Sequence, residues 1–184
     1  MRAMVMVAGS ALALAACSSE PDQAKTPEEV IEAAEDLVKP RPGLYRSTSE
    51  MIEFEIPGVP PEQAARLRDM AAGLQGEAQT QCLTPAQADE GFRRLVKRLG
   101  EGEQGVTCNF SRFEAAGSSL DAALTCTGPG EIAVEMTIDG TIEPESSRMV
   151  MEMNQQSAAI PGGAMRMKME VVSERIGDCP QESA

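Results

Sequence analysis

From Val106 onward the chain alternates between apolar and polar positions. Val106, Cys108 and Phe110 are separated by Thr107 and Asn109, and Leu120, Ala122, Leu124 and Cys126 by Asp121, Ala123 and Thr125. A period of two marks a half-buried strand. The small residues Ala115-Ala116-Gly117-Ser118-Ser119 lie between the two runs and read as a turn. Folding the chain symmetrically about Gly117 sets Phe110 opposite Leu124 and Cys108 opposite Cys126. Directly opposed residues of an antiparallel pair share a face, with Cβ atoms close enough for a disulfide. The register therefore predicts a Cys108–Cys126 bridge.

The alternation continues through Ile132, Val134, Met136 and Ile138, entered by Thr127-Gly128-Pro129-Gly130. It resumes in Met149, Met151 and Met153, and again in Met165, Met167, Met169 and Val171, with Glu152, Arg166, Lys168 and Glu170 on the other side. Asp139-Gly140 reads as a bulge inside a longer strand, because Glu143-Pro144-Glu145-Ser146-Ser147 makes the better turn. Folding about Ala159, within the loop Ser157 to Gly163, brings the two methionine sets directly opposite each other.

Ahead of Val106 the pattern is mixed. Thr26, Pro27 and Glu29 form a capping box with proline in the first turn, followed by the stripe Val30, Ala34, Leu37 and Val38; Pro40 and Pro42 stop that helix. Tyr45 to Ile56 reads as a strand with Ile52, Phe54 and Ile56 on one face against Glu53 and Glu55. A second helix runs from about Pro61 to Gly73 with Ala64, Leu67 and Ala71 inward. Gln79 to Leu83 is a short strand. Thr84, Pro85 and Gln87 repeat the capping pattern, and Ala88, Phe92, Leu95 and Leu99 give a third helix ended by Gly100. These elements make an α+β domain: a curved antiparallel β-meander of about six or seven strands with two or three helices packed on one face.

The first residues stand apart. Arg2 and the apolar run Ala3 to Leu14 form a secretory signal too short to span a bilayer. Leu14-Ala15-Ala16-Cys17 resembles a bacterial lipobox, which implies cleavage before Cys17 and acylation of it by a diacylglycerol and an amide-linked chain such as palmitate. Ser18 follows where an aspartate would imply retention at the inner membrane, so the expected location is the outer membrane, facing the periplasm. Residues 1–16 are thus a cleaved signal peptide, 17–25 a lipidated tether, and 26–184 one disulfide-stapled domain.

Composition narrows the function. The formal net charge of −13 disfavours nucleic acid, and an aromatic content of 3 % leaves little for base stacking. Histidine is absent, which removes Ser-His-Asp and Cys-His catalysis and imidazole metal sites. Arg93, Arg94, Lys97 and Arg98 form a basic band that reads as a solvated helix face. Glu53, Glu55, Glu143 and Glu145 read as solvated carboxylates. Glu101 to Gly105 lacks the lysine and following helix of a phosphate loop. With Cys17 acylated, four cysteines remain. The hairpin takes Cys108 and Cys126, which leaves Cys82–Cys179.

Pro42-Gly43-Leu44-Tyr45, Cys82-Leu83-Thr84-Pro85, Cys108 and Cys126 on a hairpin, and Arg175-Ile176-Gly177-Asp178-Cys179-Pro180 resemble the domain-of-unknown-function family 3617. Its members are small exported Gram-negative proteins, many of them lipoproteins. The resemblance runs from about Lys39 to Pro180; the family commonly has tryptophan where this chain has Tyr45. It implies export and the four-cysteine arrangement, and no activity.

The methionines are the unusual feature. The simplest reading of Met149, Met151, Met153, Met165, Met167 and Met169 is a core face covered by the helices. Two functional readings stand beside it: an adaptable apolar binding surface and soft thioether ligands for Cu(I). The expected function is therefore a non-catalytic, lipid-anchored binding or scaffold module with an apolar ligand or an envelope protein as partner, and with no cofactor. The alternatives are a soft-metal or redox-buffering protein and, third, an enzyme of unfamiliar type. The lipobox reading has a direct test. Cys17→Ala abolishes incorporation of a labelled fatty acid in cells; a variant labelled as strongly as the parent contradicts it.

Overall fold

A computed structural model describes residues 24–75, 78–93, 96–97 and 105–180. Its elements are α1 (Pro27–Ala34), β1 (Gly43–Glu55), α2 (Pro61–Gln75), β2 (Gln79–Leu83), α3 (Pro85–Glu90), β3 (Thr107–Ala116), β4 (Ser119–Gly128), β5 (Ile132–Ile142), β6 (Ser146–Gln156) and β7 (Ala164–Gly177). The strands form one seven-stranded open sheet in the order β2-β1-β7-β6-β5-β4-β3, antiparallel throughout. This is the expected α+β meander, with one addition. The early strand β1 pairs with the last strand β7 along most of its length, and β2 pairs outside β1.

The β3–β4 register puts Cys108 opposite Cys126 and Phe110 opposite Leu124, and the Cys108–Cys126 disulfide is formed. The turn itself is only Gly117-Ser118, since Ala116 already pairs with Ser119. A bulge between Phe110 and Arg112 restores the register that a longer turn would have given. Asp139-Gly140 is not a bulge: β5 runs through it without a register shift against either neighbour. The methionine strands are also shifted from expectation. Met151 faces Met169 and Met153 faces Met167, while Met149 faces Val171 and Gln155 faces Met165. The hairpin centre is Ile160 rather than Ala159, because the loop closes with Ser157 N–H donating to the Gly163 carbonyl and Gly163 N–H to the Ile160 carbonyl. A two-residue offset preserves parity, so all the methionines still share a face.

The helices are shorter than their apolar stripes. α1 has the capping box of Thr26 and Glu29 and buries Val30 completely. It ends at Ala34, and the buried Leu37 lies beyond it in a strap that bridges to Gly117. α3 has the Thr84–Gln87 capping box but stops after six residues at Gly91, whose φ of +52° suits glycine. Beyond it Val96 N–H donates to the Phe92 carbonyl, and Val96 is buried. Leu95, Leu99, Gly100, Arg94 and Arg98 lie outside the described residues, as do Met1 to Ala16, Cys17 and most of residues 17–25. Lys25, placed in the tether by sequence, is already held: its N–H donates to the Phe110 carbonyl at 2.8 Å and its Nζ to the Phe113 carbonyl at 2.6 Å. In β1 a bulge between Met51 and Glu53 leaves Ile52 exposed, off the face it was expected to share with Phe54 and Ile56.

The core lies over β3, β4 and part of β5. Val30, Leu37 and Val96 pack on Phe110, Phe113, Leu120, Ala122, Leu124, Cys126 and Ile142, with Phe110 and Phe113 edge to face at 5.7 Å. At the other end Cys82–Cys179 ties β2 to the residues after β7 with a Cα–Cα distance of 5.4 Å. It closes a separation of 97 residues, for which the chain-entropy model gives roughly 4–5 kcal/mol of stabilisation.

Candidate functional site

Strand parity sorts the side chains onto two faces. One carries Glu53, Lys168, Glu152, Thr137 and Arg112 in one cross-strand row and Glu50, Glu170, Val150, Asp139 and Asp121 in the next. Ion pairs lace it: Lys168 with Glu152, Arg148 with Glu170, and Arg112 with Asp121 at 2.7 Å. Such a face is solvated, and its pairs add little stability each.

The opposite face is apolar from β3 to β1. One row reads Phe110, Leu124, Met136, Met153, Met167 and Phe54; the next reads Phe113, Ala122, Ile138, Met151, Met169 and Met51; a third reads Ala115, Leu120, Gly140, Met149 and Val171. Cover is uneven. The β4 members of these rows are 1–3 % exposed, whereas Met51, Phe54, Met151, Met153, Met165, Met167 and Met169 are only half-buried. Of the six methionines on β6 and β7, only Met149 packs against the core, together with Met136 of β5. The expectation that the helices cover this whole face is thus met only at its β3–β5 end. The reason is reach. Between Leu83 and Thr107 the chain must cross from the β2 edge to the β3 edge, about 29 Å at the usual strand spacing. Among the described residues of that stretch Ala88 and Val96 are buried, and Val96 already packs on the β3–β5 core. α2 meets β1, and its Ala64, Leu67 and Ala71 are half-buried.

Where the covered and open parts meet there is a cleft of about 280 Å³. Its walls are Ile31, Ala34, Leu37, Leu83 and Phe92, and its floor on the sheet is Tyr45, Ile142 and Met149. Met149 therefore belongs both to the cleft and to the methionine rows. The mouth is charged, with Arg93 paired to Glu35 at 3.1 Å and Lys39, Asp89 and Glu90 beside them. The volume is close to the lower end of the roughly 300–1,000 Å³ typical of small-molecule sites.

Tyr45 anchors the cleft floor. It is 9 % exposed, and its hydroxyl donates to the Arg41 carbonyl at 2.7 Å, with the Pro144 carbonyl at 3.2 Å. Burial pushes its pKa up; Glu145 adds to the shift, while Arg175 and Arg41 oppose it. Three of the four stretches that carried the sequence resemblance converge around it, the Cys108–Cys126 hairpin lying at the other end of the sheet. Leu44 pairs with Cys82 on one side and Gly177 on the other, and Tyr45 pairs with Arg175. Arg175 Nε donates to the Pro42 carbonyl at 2.9 Å. Gly43 is required there, since a Cβ would lie 2.6 Å from the Gly177 carbonyl oxygen and collide with Arg175.

The remaining sequence candidates do not assemble into a site. Glu55 approaches Arg166 at 4.0 Å and Glu145 pairs with Arg41 at 2.8 Å, both exposed; Glu53 and Glu143 are also exposed. Among the described residues no cluster of His, Cys, Asp or Glu could hold a metal, and no helix is long and apolar enough to cross a membrane. The sequence pointed to the methionines but missed the cleft, which joins side chains from six separate segments; only the motif around Tyr45 marks it.

The family model described as a protein of unknown function, DUF3617, matches residues 40–179. No curated protein and no solved structure matches the chain.

Tyr45 is the only tyrosine and there is no tryptophan, so tyrosinate absorbance reports the cleft floor alone. With the folded pKa above the unfolded value near 10, folding favours the neutral phenol. That contribution is intact below about pH 10 and is lost as pH rises through the folded pKa. The expected result is a titration midpoint above that of the denatured protein, with stability falling along the same rise. Coincident midpoints would contradict the buried geometry.

Proposed function

The chain belongs to the DUF3617 family, and from that premise we propose that it is a non-catalytic binding module for an apolar ligand, held at the outer membrane by lipid on Cys17 and facing the periplasm. One observation carries the reading. Among the described residues, half of an apolar sheet face, from Met149 across Met151, Met153, Met167 and Met169 to Met51 and Phe54, lacks the cover that the β4 end has. The open patch is about 14 Å on a side at ordinary strand dimensions. It continues at Met149 into the cleft. Methionine suits such a surface because its three rotatable bonds let it repack around ligands of different shape. A chain-like ligand gains about 0.8 kcal/mol for each methylene it buries, less the cost of ordering it. The lipobox supports the location, and two or more acyl chains suffice for stable anchoring.

The test uses the soluble domain with N-phenyl-1-naphthylamine, a neutral apolar dye that brightens on leaving water. The parent is expected to bind the dye. Met151→Glu places a carboxylate on a half-exposed surface, so it should melt near the parent and lose dye affinity by about tenfold or more, roughly 1.4 kcal/mol. Met151→Leu conserves volume and apolarity and should bind as the parent does. A Met151→Glu protein that melts far below the parent would return these side chains to the core. A parent that leaves the dye dark would remove the binding reading.

A further inference from the structure

Eight of the twelve methionines share the apolar face: Met51, Met136, Met149, Met151, Met153, Met165, Met167 and Met169. Apolarity alone does not require this, since leucine or valine would serve. We propose that Met51, Met151 and Met169 form a thioether site for a soft monovalent cation, Cu(I) being the one their chemistry selects. The proposal concerns a second kind of ligand and does not depend on apolar-ligand binding.

The geometry is set by register. Met169 of β7 lies directly opposite Met151 of β6 on one side and Met51 of β1 on the other. The three therefore stand in one row on one face, on adjacent strands. Directly opposed residues have Cβ atoms roughly 4.5–5.5 Å apart, and methionine is long and freely rotating. The flanking sulfurs can lean over the central one and enclose an ion from three sides. In the next row Met153 and Met167 face each other, and a diagonal neighbour is roughly 7–8 Å away, within reach as a fourth donor. All five are half-buried: open enough to be reached, enclosed enough to shed water.

The donor set discriminates among cations. Thioethers are neutral and soft, which favours Cu(I) over hard ions. Across β4 to β1 this row reads Ala122, Ile138, Met151, Met169 and Met51, without a carboxylate or carbonyl side chain for Mg²⁺ or Ca²⁺. A thioether has no proton to displace, so affinity should be nearly flat across neutral and mildly acidic pH. The net charge of −13 draws cations towards the protein, and the four cysteines of the domain, paired as disulfides, offer no competing thiolates.

Ag(I) tests the site without redox chemistry. The disulfide-intact soluble domain is titrated in chloride-free buffer and followed by calorimetry and by NMR of ¹³C-methyl methionine. The expected result is a single Ag(I) equivalent that shifts the methyls of Met51, Met151 and Met169. Met151→Leu should weaken binding by about tenfold or more. The triple leucine variant should bind none at the site while still brightening N-phenyl-1-naphthylamine. Met70→Leu, on the exposed side of α2, should change nothing. Undiminished Ag(I) binding by the triple variant, or methyl shifts spread evenly over all methionines, overturns the proposal. The shifts on the unmutated protein decide the matter even if a variant folds poorly.

Discussion

A single sheet has two faces, and among the described residues helices cover only part of one. Seven antiparallel strands present one charged face and one apolar face because side chains alternate strictly along each strand. The charged face needs nothing over it. The apolar face must be buried, and the described side chains that pack on its core, from α1, the Leu37 strap, Phe92 and Val96, lie over β3, β4 and β5. The core is complete there. Towards β6, β7 and β1 the same rows continue as half-buried methionines. The cleft forms at that boundary, where the strap and α3 leave the sheet surface with Tyr45 and Met149 beneath them.

The far side of the sheet is held differently. It has few buried side chains and depends on ladders and covalent closure. β1, entering from the strap, pairs with β7, and β2 is bound to the end of the chain through Cys82–Cys179. Gly43, Tyr45, Arg175 and Cys82 meet where these strands begin, and Tyr45 joins the strap to the β5–β6 turn through the carbonyls of Arg41 and Pro144. A thinly covered half-sheet keeps its shape through the β1–β7 ladder and the staple at this corner.

Much of the fold was legible because period-two patterning and turn residues are local signals. The strands, both capping boxes and the Cys108–Cys126 disulfide follow from them, and Cys82–Cys179 follows by elimination. The Cys108–Cys126 register came out correctly through two compensating features, a two-residue turn at Gly117-Ser118 and a bulge at Ser111, neither visible in the pattern. The methionine hairpin had no such compensation and lay two residues off. α3 is shorter than its pattern because Gly91 ends it after six residues. The site was less legible. Whether a strand face is covered depends on where distant helices end, so Met149 in the core and Met151 outside it look alike in sequence. The cleft combines short pieces of α1, the strap, β1, β2, α3 and the β5–β6 turn, and no local pattern announces it.

The central claim is that the methionine face is open. Brief oxidation of the folded domain with hydrogen peroxide, followed by peptide mass spectrometry, tests it residue by residue. Met70, 69 % exposed, sets the fast limit, and Met136, packed on the core, the slow one. The account predicts that Met51, Met151, Met153, Met167 and Met169 oxidise faster than Met136 while the domain stays folded. Rates as slow as that of Met136, rising only when the domain unfolds, would mean that the face is sealed and would contradict the account.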